Sequence, residues 1–492
     1  MFYLTRVILM SLGILIQGMV FLHGAELVRY DFSGQPGNQS STSYESVSPH
    51  ITAGVITRGL GITPAALSDS MCSTSWSASY TLDTSENDYY EFSLTPQMNY
   101  KFIIGHFIYG HQRSNFGPRK YAWRTSIDNF TQNLSYGDTS TAWQSVDASI
   151  AYNPLLSEIN SQLILRDYGY YSTSSSGWYS LRDHYSKDGL VVTGVVLPTS
   201  ATASKWYSSG GGSFNQSTNW KNNTVPNGVD AAALLWYFLS TDSTITVDNP
   251  VVLGTLDLDG QGKSITLAGS AGVTMQTSVD NPRIGVYSGN NIISAPLSFA
   301  GSTIVDSGPG MLTISGAIDG AGGLTKNGSG ILVLSNTNNN YQGNTVVQDG
   351  TMEMTGGIGN GGTSLIYVQS GKLLFSTVNV NKPDLDITTD ALTTFEVLNG
   401  THEVGGIEGS GTLKLDSGAH ITASFISMDT QFMGSGASIT ITHKTGGPLS
   451  GAITPVPEPG SVVLLAGALM LVALFYRRKA GGYSDCVKSQ GN

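Results

Sequence analysis

Acid and base chemistry in this chain would have to come from paired carboxylates. Two Asp-Leu-Asp runs supply them, Asp257 with Asp259 and Asp384 with Asp386. On an extended strand, a spacing of two points both acids to one face. Converging carboxylates on such a face do the work of glycoside hydrolysis. The intervening leucines fit a buried strand side, the two pairs are far apart, and no adjacent Asp-Asp occurs. Both pairs therefore read as a solvated outer face. Asp306, Asp319, Asp349 and Glu353 fall at unrelated positions within their local patterns. A cation-dependent lyase also needs a base, and Lys326 belongs to a structural pattern. The chain is expected not to be an enzyme. Three acids meeting on one face are what a polysaccharide lyase or hydrolase would require.

Histidine and cysteine offer no stronger chemistry. His106 and His111 are five apart, whereas metal pairs stand two apart on a strand or four apart on a helix. They read as satisfied or solvated. Cys72 and Cys486 cannot pair in a mature exported chain, so Cys72 reads as a small buried residue. Gly210–Gly212 lacks the lysine and helix of a phosphate site. No cofactor is expected; a structural calcium ion would suit sandwich turns, but no ligand set is fixed. The net charge of −11, with only 12% charged residues, gives nucleic-acid binding no electrostatic basis. Aromatics are the other candidates. Tyr168, Tyr170, Tyr171, Trp178 and Trp143 could stack on a pyranose. The competing reading packs such rings between two sheets, as expected for Trp123.

Two textures of sequence must position these residues. Residues 26–198 hold short aromatic-rich strands such as Tyr89–Leu94, Tyr100–Ile104 and Leu190–Val196, which predict a β-sandwich. Residues 199–204 read as a linker. From 205 to 450 a glycine followed by alternating apolar residues recurs at Gly254, Gly310, Gly330, Gly350, Gly371 and Gly411. In each unit the third and fifth residues are apolar and share one strand face. Recurrence near twenty residues predicts a solenoid whose stacked coils share one core. The glycine is expected to supply a positive-φ corner. Asn336–Asn340 is expected to form a corner with stacked amide ladders.

The stretch 320–354, with Gly323-Leu324-Thr325-Lys326-Asn327-Gly328-Ser329-Gly330-Ile331-Leu332-Val333-Leu334, Tyr341-Gln342-Gly343-Asn344-Thr345 and Gly350-Thr351, resembles the autotransporter-associated β-strand repeat. Lys205-Trp206 to Val225-Pro226 resembles the segment that opens such passengers. The resemblance implies a right-handed parallel β-helix and a surface-exposed, mostly non-enzymatic passenger. Tyr121–Phe130 and Trp178–Asp183 resemble strands of jelly-roll modules, which implies an all-β chain with a jelly-roll-like sandwich at 26–198.

The two ends carry addresses. Arg6, the apolar run Val7–Leu22 and His23-Gly24-Ala25 read as a signal peptide over 1–25. Val456-Pro457-Glu458-Pro459 precedes an uncharged apolar run, Val462–Tyr476, and the basic cluster Arg477-Arg478-Lys479. At about 1.5 Å per residue the run reaches the short end of a membrane span, with the basic cluster on the cytoplasmic side. The segment 455–479 resembles the bacterial PEP-CTERM sorting signal, and 480–492 would be a cytoplasmic or removed tail. That resemblance implies an exosortase-type processing enzyme as partner, transit through the inner membrane by the C-terminal helix, and delivery to the cell surface or extracellular matrix. The whole reads as an exported structural or adhesin-like protein whose partners are extracellular polysaccharide or other surface proteins. A carbohydrate-binding module on a rigid stalk is the alternative.

Overall fold

The computed structural model describes residues 26–182, 189–236, 239–358, 362–376 and 379–442. The signal peptide, the 455–479 segment with its motif, apolar helix and basic cluster, and the 480–492 tail lie outside the described residues. The described chain is all-β. Its helices are single 3-10 turns such as Thr84–Glu86, and no helix among the described residues is long and apolar enough to cross a membrane.

Two sheets form the N-terminal sandwich. One orders Ser135–Asp138, Lys120–Thr125, Leu163–Tyr170, Tyr89–Pro96 and Ile51–Ala53 in antiparallel array. The other is centred on the long strand Tyr100–Arg113, flanked by Tyr179–Arg182 and Leu190–Pro198. Alternation decides which side chains enter. Along Tyr89–Pro96 every second residue is buried, as a strand with one covered face requires. Phe92, Phe107 and Trp123 meet in the middle, with Trp123 edge-on to Phe107 at 4.6 Å between centroids.

The solenoid is a stack of parallel strands. In its early coils Ala203–Lys205, Ala232–Trp236, Thr255–Asp259, Arg283–Val286 and Thr303–Ser307 pair in parallel register. A second wall runs through Ser243–Thr246, Ile265–Ala268 and Asn290–Ile293, and a third through Val251–Leu253, Val273–Met275 and Leu297–Phe299. In the later coils the apolar positions stack in register. Leu332, Met352, Leu373, Phe395 and Leu413 form one ladder, and Leu334, Met354, Phe375, Val397 and Leu415 form its neighbour. All ten are buried, so each coil completes the core of the next.

Two expectations about the corners need correction. Among the repeat glycines only Gly350 and Gly371 adopt positive φ, at 65° and 75°. Elsewhere the demand is space: a Cβ on Gly411 would lie 2.6 Å from Thr393 Oγ1. The asparagines at 336–340 build no side-chain ladder. Asn336 Nδ2 donates to Ser315 O at 2.8 Å, and Asn339 Oδ1 accepts from Ile318 N at 3.2 Å. They satisfy the main chain of the preceding coil, which a tight corner leaves without partners.

By its contacts the chain divides inside the solenoid. Among the described residues one unit runs to Leu312 and takes in Asn327–Gly330, and the other is Thr313–Lys326 with the described chain from Ile331 on. The sandwich therefore shares a unit with the early coils. Ala201 is buried and Ala203–Lys205 is the first solenoid strand. Ile103, Val195 and Leu197 of the sandwich pack with Ala232, Leu234 and Trp236 of the solenoid. Tyr152 Oη reaches the Trp236 carbonyl at 2.6 Å, and Lys101 Nζ donates to Ala201 O at 2.8 Å.

Candidate functional site

The four rings proposed for glycan contact do not form one platform. Tyr168 lies on the strand Leu163–Tyr170 and is fully buried. Its ring meets Tyr89 edge-on at 5.4 Å and its hydroxyl accepts from Arg166 at 3.4 Å. It has no face left for a sugar. Tyr170 is half-buried and lies opposite Lys120, which pairs with Asp138 at 3.0 Å. Tyr171, at φ 61°, turns its ring to the exposed Tyr80 at 5.0 Å, with Arg119 5.7 Å from its centroid. Trp178 is half-buried on the far side of a serine-rich turn and shares no ring contact with either tyrosine. Trp143 packs on Gly110, where a Cβ would lie 2.9 Å from its Nε1.

The histidines are both buried rather than solvated. His106 pairs with Asp147. His111 Nδ1 lies 3.0 Å from Tyr179 Oη, which donates to Asp167 Oδ2 at 2.8 Å. Burial lowers the His111 pKa to about 4 and raises that of Asp167 to about 7. This chain lies between the sheets and is closed to solvent, so it can hold a proton but not pass one to a substrate. Cys72 is also buried, and burial pushes its thiol up to about 12. It stays protonated and packs as a small apolar residue. Among the described residues no group of three or more His, Cys, Asp or Glu is arranged to hold a metal ion.

The acids divide differently from expectation. Asp384 and Asp386 are exposed, but Asp257 and Asp259 are buried. The reason is one coil ahead. Arg283 reaches Asp257 at 3.4 Å and Asp306 at 3.1 Å, and Tyr287 Oη donates to Asp257 Oδ2 at 3.2 Å. Three acids thus gather on one solenoid face. Parallel register explains it, because Asp257, Gly285 and Asp306 are successive partners, and Gly285 leaves the space that Asp257 and Tyr287 fill. Burial raises the Asp257 pKa to about 6 against the pull of Arg283. Asp257 and Asp306 are 0% and 4% exposed, and the Arg283 side chain covers them while keeping 22% of its own surface exposed, so both acids are spent on the arginine and closed to a substrate. Asp259 alone of the three opens outward.

It opens onto a cleft of about 570 Å³. One wall is the sandwich, with Glu26, His106, Ile108 and Asp147; the other is the solenoid, with Trp236, Asp259, Tyr287 and Ser288. The size suits a small ligand. Sequence reasoning missed the junction that makes it. The signal was present in Ala231–Trp236, an unbroken apolar run, which marks a strand covered on both faces.

A family description, passenger-associated-transport-repeat, matches residues 324–354. Those residues are four strands, Leu324–Asn327, Ile331–Leu334, Thr345–Val347 and Thr351–Met354, with the turns between them. No curated protein and no solved structure matches the chain. The chain thus carries an autotransporter-type passenger repeat on a parallel β-solenoid, a combination that fits a secreted surface or adhesin-like passenger.

Proposed function

We propose that the protein is a structural, non-enzymatic adhesin of the extracellular polysaccharide matrix, exported by its 1–25 segment and sorted by its C-terminus. The observation that carries this reading is the passenger repeat at 324–354, whose apolar positions lie in the continuous solenoid ladder. A stack of this kind offers a long polar outside over a self-sufficient core, suited to many weak contacts. In this reading Val456-Pro457-Glu458-Pro459 is the motif an exosortase-type enzyme recognises. The apolar run holds the chain in the inner membrane until cleavage, and Arg477, Arg478 and Lys479 fix its orientation.

Replacing Pro457, Glu458 and Pro459 together with alanine tests the sorting step. Expected is retention of the full-length chain in the inner-membrane fraction, with loss of the shortened form from the matrix fraction. Unchanged release of a shortened form would refute exosortase sorting. Matrix extracts that never contain the natural protein would refute the matrix role.

A further inference from the structure

The cleft between sandwich and early solenoid has a charge pattern that selects a ligand. Its acids are Glu26, Asp147 and Asp259, and its cation Arg29 is already paired with Glu26. His106 is held by Asp147. Behind the wall, Asp257 and Asp306 share the single Arg283. The three lining acids outnumber Arg29 and His106 together, so an anionic saccharide meets like charge while a cationic one is attracted.

Asp259 points to where that cation would sit. It is 6% exposed. Its Oδ1 accepts from Gln261 N at 3.1 Å and from Ser288 Oγ at 2.8 Å. Both of these bonds go to Oδ1, and the side chain keeps its remaining contact with solvent where it lines the cleft. On that side an ammonium group can replace water and make a charge-assisted hydrogen bond to the carboxylate. Ile108 and Tyr287 beside it are half-buried and supply the apolar contact that suits the face of a sugar ring.

We propose that this cleft binds an amino-sugar unit of an extracellular polysaccharide, with the ammonium on Asp259 and the ring against Ile108 and Tyr287. The inference rests on the matrix role proposed above and names its ligand class. It moves glycan contact away from Tyr168, Tyr170, Tyr171 and Trp178.

The test is calorimetric titration of the secreted protein with a glucosamine tetramer, an N-acetylglucosamine tetramer and a galacturonate tetramer. Saturable one-to-one binding of the first is expected, with at least about ten-fold weaker binding of the acetylated form and none of the galacturonate. Asp259→Asn should weaken glucosamine binding about ten-fold or more. Ile108→Trp, which fills the cleft from the sandwich side, should abolish it without touching a charge. Absence of glucosamine binding, binding of galacturonate, or unchanged affinity in both variants would overturn the proposal. Matrix fractionation of the same variants separates the two readings. Retention in the matrix without glucosamine binding refutes the cleft alone, whereas failure of the unaltered protein to enter the matrix refutes the role on which it rests.

Discussion

Asp167 should make the sandwich lose stability as pH rises toward neutrality. It stands on the inner face of Leu163–Tyr170, between Trp123 and Tyr90 in the register. Among the described residues no cation pairs with it. Its Oδ2 accepts from Tyr179, and its Oδ1 is buried without a partner. Burial therefore raises its pKa from 3.8 to about 7 against the single hydrogen bond from Tyr179. The folded form holds the proton longer than the unfolded form. Below pH 3.8 both forms are protonated and the contribution is fully present; it is lost as pH rises to about 7. About three pKa units correspond to a loss on the order of 4 kcal/mol. Asp167→Asn has the same shape and no titration. Urea unfolding followed by tryptophan fluorescence, at pH 4 to 8, would measure both proteins. The stability of the natural chain relative to the variant should fall across that range. A constant difference would show that Asp167 ionises as it does in water, and the argument from burial would fail. His111 works in the opposite sense. Its pKa is lowered to about 4, so its contribution is present above 6.5 and lost as pH falls through 4. In the natural chain the two slopes oppose each other; in the variant the histidine slope should stand alone.

Two further changes probe the cores separately. Trp123→Ala removes the ring that Phe92 and Phe107 pack against and should cost about 3–5 kcal/mol of sandwich stability in the same unfolding assay. Leu373→Ala opens a hole in the ladder between Met352 and Phe395 and should cost about 2–5 kcal/mol, read as faster proteolysis of the later coils with the sandwich fluorescence unchanged.

How far the fold could be read from sequence depended on the range of the burying contact. Leu332, Met352, Leu373 and Leu413 were legible because each strand repeats its own pattern, and a partner one coil away obeys the same rule. The glycine before each strand was legible in position but not always in cause: only two of the repeat glycines use positive φ, and Gly411 answers to crowding from Thr393. Asp257 was illegible for a different reason. A polar residue on the outward face reads as solvated unless its cover is known, and the cover is Arg283 and Tyr287, far along the chain. Tyr168 failed likewise, since its ring is covered by Tyr89 from a strand far along the chain, although Arg166 lies two residues away on its own strand. The cleft was legible only in part: Ala231–Trp236 marks a strand covered on both faces, but its cover, Ile103, Val195 and Leu197, comes from distant strands of the sandwich.

The ion cluster around Arg283 separates scaffold from chemistry. If Asp257 and Asp306 serve only to balance Arg283, losing the arginine alone should be severe. Arg283→Met leaves two buried carboxylates without their cation and should cost about 3–5 kcal/mol. Replacing all three charges together, with Asp257→Leu and Asp306→Leu added, removes the imbalance. A buried ion triad exchanged for apolar residues of similar size is often neutral or stabilising. The triple variant should thus recover most of the stability lost by the single one, and it should keep glucosamine binding, since Asp259 remains. Thermal unfolding and the same titration would measure both. Recovered stability with lost binding would mean that the cluster acts on the ligand through the solenoid wall. Failure to recover stability would mean that the charges organise the coil in a way that apolar packing cannot replace.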